Sequence, residues 1–301
     1  MPNSIGLMTL PNHDEIAYWN NEAGSRWAVF QEQMDRALAP LGARGLESAA
    51  AGPGDAVLDI GCGCGGSSLE LARAIGATGS VLGVDVSRQM LAVAEERERA
   101  AGLGNVRFVL ADAATEALGD DMFDLAFSRF GVMFFDDPLC AFSNVRRALR
   151  PGARLVFVCW RDLVANPWFA VPAAAVRPYL PPQPKPDPEA PGPLAFADPT
   201  RVRAILERAG FEAVRFEAFN ARVSLGSHSS ALEILSHIGP AARLLEGVDG
   251  RARADALLAL GTVLSEHERA GDVALEGGIW VEGARCARFA NLELRRPPTQ
   301  A

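Results

Sequence analysis

Ten residues constrain this chain more than any others: Val57-Leu58-Asp59-Ile60-Gly61-Cys62-Gly63-Cys64-Gly65-Gly66. Ala56 to Ile60 is an apolar run of strand length. It passes straight into glycines, and an amphipathic stretch, Ser67 to Ile75, follows. Glycine adopts left-handed backbone without a Cβ penalty, and the first turn of a helix has unpaired N–H groups. A strand, a glycine turn and a helix in that order therefore bring backbone close to a ligand and aim donors at it. The stretch satisfies G-x-G-x-x-G through Gly61, Gly63 and Gly66, and an acid, Asp85, follows about 20 residues on.

The surrounding pattern repeats the unit. Strands are expected at 81–85, 106–111, 123–128 and 154–160. Helices are expected at 87–101, with Ser87 as cap, and at 138–149, with Asp137 as cap and Pro138 in the first turn. Apolar runs alternating with helices predict an α/β domain: a Rossmann-like parallel sheet with helices on both faces. Residues 13–50 read as helical, with Asp14 as N-cap, a break at Gly24 and a second short helix over 41–51. Beyond residue 160 the spacing predicts a helix at 168–180, a stiff proline-rich loop at 181–193 and an Asp198-capped helix at 199–209. A strand at 211–219, helices at 229–238 and 251–268 and a last strand at 278–289 complete the chain. The expected organisation is a single domain over 1–301. Residues 1–50 form an N-terminal helical cover, 51–160 the binding core, and 161–301 a second region with a C-terminal helical insertion.

The chain has 301 residues, 49% of them apolar, which suffices for a large core. No apolar run approaches roughly 18 residues, so no membrane span is expected. Met1 to Leu10 lacks a basic region followed by an apolar stretch, so a cytoplasmic location is expected. A net charge of −8 with no basic stripe argues against nucleic acid as a partner. Five cysteines without an export signal argue against a disulfide framework.

The glycine spacing alone leaves a nicotinamide-dependent oxidoreductase open. Two further acids favour another ligand. Asp59, just before the loop, would repel a pyrophosphate and attract an ammonium. Asp112 ends the third strand beside the Ala113 amide, a pair suited to an adenine edge. Asp85 suits ribose hydroxyls under either reading. Acids at three successive strand ends match a nucleoside carrying a cationic amino acid better than one carrying phosphates.

These pieces resemble a family. Asp59 to Gly63, Gly83-Val84-Asp85-Val86-Ser87, Ala111-Asp112-Ala113, Phe123 to Ser128 and Leu149-Arg150-Pro151-Gly152 occur in the order seen in small-molecule class I methyltransferases. That group includes the ubiquinone and menaquinone methyltransferases. The resemblance covers about a third of the chain. It implies a seven-stranded sheet with the last strand antiparallel and S-adenosylmethionine as cosubstrate, and it stops short of a substrate; the function expected is direct in-line transfer of the methyl group to a small, partly apolar molecule. The implied cofactor-binding set is Asp59, Gly61, Gly63, Asp85, Val86, Asp112, Ala113, Ser128 and Arg129. A protein that binds the cofactor without turnover is the other reading left open.

Trp19, Trp27, Phe130, Phe134 and Trp160 are candidates for an acceptor pocket. His237, on an apolar helix, is the one candidate base, although an acceptor that is already nucleophilic needs none. Cys62 and Cys64 have the wrong spacing for a zinc knuckle and read as small side chains in a tight turn. Asp136-Asp137 reads as a helix cap before Pro138, so no metal is expected. The small-molecule acceptor is the expected partner, and the chain is expected to be a monomer or homodimer.

Overall fold

The computed structural model describes residues 12–182 and 187–287. In chain order the elements are α1 (His13–Asn20), α2 (Glu22–Val29), α3 (Gln31–Ala49), β1 (Ala56–Ile60), α4 (Gly66–Ile75), β2 (Ser80–Asp85), α5 (Arg88–Ala101), β3 (Val106–Leu110) and β4 (Phe123–Arg129). There follow α6 (Pro138–Ala148), β5 (Leu149–Trp160), α7 (Pro167–Val176), α8 (Pro199–Arg208), β6 (Phe211–Ser224), α9 (His228–His237), α10 (Pro240–Leu244), α11 (Gly250–Glu266), β7 (Glu268–Arg269) and β8 (Asp272–Cys286).

The sheet order is β3-β2-β1-β4-β5-β8-β6. The first five strands are parallel, and β8 is antiparallel to both neighbours. The expected seven strands lie on this path. The eighth, β7, is a two-residue strand paired with the start of β8. Consecutive β5 side chains face opposite ways. Phe157 stacks on Phe142 of α6 at 5.6 Å. Val158 faces α3, where a Cβ on Gly45 would stand 2.6 Å from its Cγ2. Helices therefore cover both faces. The order reverses between β1 and β4, so the loops at their carboxyl ends diverge and leave a crevice.

Ser87 and Asp137 cap α5 and α6 as expected, accepting from Met90 N and Cys140 N. The N-terminal expectations need correction. The cap of α1 is Asn12, and the breaks fall at Asn21 and Phe30. Gly24 lies inside α2, where a Cβ would meet Trp19 O at 2.0 Å, so this glycine serves close approach and not a break. The expected boundary near residue 41 is absent. Met34, Ala37, Leu38, Leu41, Gly42 and Gly45 form one buried stripe through Pro40. Packing along that stripe outweighs the roughly 3 kcal/mol that an interior proline costs a helix.

The strands β6 and β8 run longer than expected, because each pairs along most of the other. The expected last strand runs to 289, and residues 288 and 289 lie outside the described residues. Of the proline-rich loop, 183–186 lie outside them too. The part after Asp187 is a chain of turns and not an extended spacer, with Gly192 N donating to Met133 O at 3.0 Å. The insertion between β6 and β8 carries three helices, α10 being the unexpected one, and packs on α7. No helix among the described residues is long and apolar enough to cross a membrane.

On the far side of the sheet order, β8 carries a buried acid. Glu282 on β8 is 1% exposed. Its Oε1 accepts from Cys159 Sγ at 3.3 Å, and its Oε2 has no partner among the described residues. Burial pushes its pKa well above the ordinary value of 4.5. The folded state thus holds this proton more tightly than the unfolded chain, so Glu282 lowers stability increasingly as pH rises from 4.5 toward its folded pKa. Glu282→Gln is therefore expected to raise Tm at pH 8 by more than at pH 5, each recovered kcal/mol giving roughly 2–4 °C. Thermal melts at the two pH values check this, and an equal shift at both would remove the argument.

Candidate functional site

The loop after β1 turns through three left-handed glycines, Gly61 (φ 63°), Gly63 (φ 55°) and Gly65 (φ 78°). The Gly61 and Cys62 amides donate to Val84 O at 2.9 and 3.1 Å, which ties this loop to β2. Across the reversal in strand order, Gly61 meets Gly131 of the loop after β4. A Cβ on Gly61 would lie 2.7 Å from Gly131 Cα. Ser128, fully buried, holds the junction. Its hydroxyl donates to Ile60 O at 2.7 Å and accepts from Gly131 N at 3.2 Å.

The three acids lie near the carboxyl ends of three neighbouring strands, Asp59 one residue before the end of β1, Asp85 at the end of β2 and Asp112 two residues past β3, each held differently. Asp59 is fully buried. Its Oδ2 accepts from the Ser67 and Ser68 hydroxyls at 2.7 and 2.5 Å, while Oδ1 has no partner among the described residues. Burial pushes its pKa up to about 6 despite the two serines. Asp85 accepts from Gly63 N and Ser87 N, both at 2.8 Å, and burial raises its pKa as well. It thereby clasps the glycine loop to the start of α5. Asp112 Oδ1 accepts from Ala114 N at 2.9 Å and from Asn12 Nδ2 at 3.2 Å, and its Oδ2 accepts from Thr115 Oγ1 at 3.0 Å.

The neighbouring candidates serve as walls. Val86 O accepts from Asn20 Nδ2 at 2.7 Å, and Ala113 O from Asn144 Nδ2 at 2.9 Å. Arg129 turns toward α3 and donates to Asp35 Oδ1 at 3.0 Å. Arg97 of α5 meets the other oxygen of Asp35 at 2.9 Å and donates to Cys64 O of the glycine loop at 2.6 Å. Burial pulls the Asp35 pKa up, but the two guanidiniums prevail and hold it below the ordinary value.

The aromatic candidates fall into two patches. Phe130, itself in left-handed backbone (φ 65°), stacks on Trp160 at 4.2 Å, and Trp160 meets Phe169 of α7 at 4.9 Å. Trp19 packs edge-on against Phe134 at 5.0 Å and lies 6.4 Å from Trp27. His237 is exposed. Its Nδ1 lies 2.8 Å from Glu233 O of its own helix, and its ring lies 5.5 Å from that of Phe30. That arrangement ties the ring to the last turn of α9 and sets it beside Phe30. Burial pushes the Cys64 thiol up to about 12 and the Cys62 thiol well above its ordinary value, so neither is a ready thiolate. Asp137 is spent on the α6 cap. Among the described residues, no three His, Cys, Asp or Glu side chains converge as a metal site.

Asn12, Asn20 and Asp35 were not singled out from the sequence. Only Asn12 carried a signal there: with Glu15 three positions on, it reads as the start of a capping box.

Residues 57–152 match the family described as the methyltransferase domain. Over 112 residues the chain is 38% identical to a ubiquinone/menaquinone biosynthesis C-methyltransferase of Shewanella halifaxensis, covering 37% of this chain and 45% of that one. It is 31% identical over 144 residues to an aklanonic acid methyltransferase of a Streptomyces species, covering 48% and 61%. The chain thus spans about half the length of the curated relatives it matches. The fold resembles that of the YcgJ protein of Bacillus subtilis, with a TM-score of 0.54 at 20% identity, over 84% of this chain and 98% of that one. The matched segment, 57–152, coincides with the stretch that carries the resemblance to class I methyltransferases.

The backbone contact at the crevice is testable by itself. A Cβ on Gly131 would stand 2.7 Å from Ile60 O and 2.8 Å from Gly61 Cα, and neither is a flexible group. Gly131→Ala is expected to cost about 1–3 kcal/mol in urea unfolding. An unchanged midpoint would show that the two loops are free to part.

Proposed function

We propose that the chain is an S-adenosylmethionine-dependent methyltransferase that acts on a small, partly apolar molecule. The observation that carries this reading is the unpartnered Oδ1 of fully buried Asp59 at the base of the glycine turn. A buried carboxylate oxygen without a donor is unfavourable in the free protein. It suits the ammonium of an amino-acid moiety and opposes a pyrophosphate, so the donor set fits this cofactor and disfavours a nicotinamide dinucleotide. Gly63 leaves open space for the same moiety, with only Met90 Sδ, at 3.9 Å, near its missing Cβ.

In this reading Asp59 holds the ammonium, directly or through water. The glycine turn and the first amides of α4 hold the carboxylate. Asp85 accepts the ribose hydroxyls, with Val86 as part of that wall. Asp112 and the Ala113 amide orient the adenine, and the backbone at Ser128 and Arg129 flanks the methionine chain. When bound, the cofactor supplies an electrophilic methyl on a sulfonium. The protein contributes alignment of the reacting atoms, about 3 Å apart and in line, and exclusion of water. The patches Phe130–Trp160 and Trp19–Trp27–Phe134 supply apolar surface for the acceptor, and no base is assigned. The proposed setting is the cytoplasm, with the chain a monomer or homodimer.

Calorimetric titration with S-adenosylhomocysteine, with NADH and NADPH in parallel, tests the reading. Micromolar binding of S-adenosylhomocysteine alone is expected; preference for a nicotinamide would overturn it. Asp85→Ala should abolish that binding while leaving the melting transition cooperative.

The pH dependence follows from Asp59. A cation binds its ionised form, so affinity for S-adenosylhomocysteine should be level above about pH 6 and fall below it, approaching tenfold per pH unit. Asp59→Asn should bind more weakly and lose that dependence. A wild-type profile level from pH 7 to pH 4.5 would take the ammonium away from Asp59.

A further inference from the structure

The helix α1 lies over the proposed cofactor site, yet none of its eight residues is buried. A helix this short has little stability of its own. Ring contacts fasten it from above: Trp19 on Phe134, and the Arg243 guanidinium of α10 over Tyr18 at 5.1 Å. Hydrogen bonds fasten each end. At its C-terminal end, Asn20 donates to Val86 O and accepts from Arg88 N at 3.2 Å, and Gln89 Nε2 donates to Asn20 O at 2.8 Å. The single residue Asn21 then joins α1 to α2.

At the other end stands Asn12, 5% exposed and in left-handed backbone (φ 63°). It pairs reciprocally with the loop after β4. Its N–H donates to Asp136 Oδ2 at 3.1 Å, and its Oδ1 accepts from Asp136 N at 3.3 Å. Its Nδ2 reaches across to Asp112 Oδ1, which also accepts from Ala114 N. Two donors fill the two lone pairs of that oxygen. A third donor at the same place displaces one of them, and Ala114 is fixed in its turn.

We propose that Asn12 is a displaceable latch on the adenine end of the site: its amide occupies the acceptor on Asp112 that an adenine amino group takes, so cofactor entry releases Asn12 and lifts α1 about Asn21. This rests on the cofactor reading above. One further observation fits a helix end with two arrangements. Glu15, three residues after Asn12, has a buried Oε2 without a partner among the described residues. An acid at that position ordinarily bonds back to the N-cap amide. Here Asp136 holds that amide, and release of the latch frees it for Glu15.

Stopped-flow mixing with S-adenosylhomocysteine, read by tryptophan fluorescence from Trp19 and Trp27, tests the latch. Two variants break it from opposite sides: Asn12→Ala, and Asp136→Ala, which leaves Asp112 untouched. Both should associate roughly threefold to tenfold faster than wild type and bind tighter, the size expected for losing one or two competing hydrogen bonds. Circular dichroism melts confirm that both variants are folded. Slower or weaker binding by folded Asn12→Ala would overturn the proposal, since Asn12 would then belong to the bound site. Unchanged rates in both variants, with normal affinity, would overturn the latch alone. No binding by any of the three proteins would overturn the cofactor reading, and the latch with it.

Discussion

At the carboxyl edge of the sheet, Gly61 and Gly131 touch backbone to backbone, and the crevice exists because they do. Parallel strands bring all their loops out on one edge, and the reversal of order between β1 and β4 sends neighbouring loops apart. Without a tie, each loop would settle independently. Ser128 provides the tie with a single buried hydroxyl that donates to Ile60 and accepts from Gly131. The conformation of the glycine turn is thus set by tertiary contact as much as by its own residues. Phe130, held in left-handed backbone next to this contact, follows from it. Its side chain is delivered onto Trp160 and becomes part of the crevice wall.

The three acids at the strand ends share a position and differ in what satisfies them. Asp85 is committed on both oxygens to backbone amides, so it fixes the glycine loop against the start of α5. Asp112 is committed to its own turn and to α1. Of the three, only Asp59 keeps a buried oxygen without a donor among the described residues, and Arg129 does not supply one, because it is held by Asp35. A carboxylate so placed is held ready at the expense of the free protein's stability, an arrangement typical of binding sites. The Asp35 cluster then has a structural meaning. It joins α3, the end of β4, α5 and the glycine loop through one carboxylate and two guanidiniums.

What was legible in the sequence was local. The run Val57 to Gly66 announces strand, turn and helix by itself. Ser87 and Asp137 are caps because a side-chain oxygen three residues before an amide needs no other partner. Asp59, Asp85 and Asp112 could be placed at strand ends because each directly follows or ends an apolar run. Other features depended on distant partners and left no local mark. Pro40 reads as a breaker, and only the sheet beneath α3 explains why the helix continues through it. Gly24 reads as a break and is in fact a close contact with Trp19 O. His237 looks like an inward residue on an apolar helix, but its ring lies on Phe30, from an element some two hundred residues earlier. Asp35 is one polar residue among many on α3, and nothing nearby in sequence shows that Arg97 and Arg129 converge on it.

The N-terminal cover also shows how stability is graded toward the site. The helix α3 buries a continuous stripe against the sheet, α2 fully buries only Ala23 and Gly24, and α1 has half-buried residues but no fully buried one. Apolar burial is the main source of stability in such elements, and those with little of it open first. Hydrogen bonds replace burial along this gradient, until α1 is held by asparagines and ring contacts alone. Such bonds are directional and individually small, so they fix where a helix sits without making it costly to move. A cover over a closed crevice needs both properties. Under the proposed reading it excludes water when seated and leaves when a ligand the size of a nucleoside enters. A buried α1 would satisfy the first requirement and fail the second.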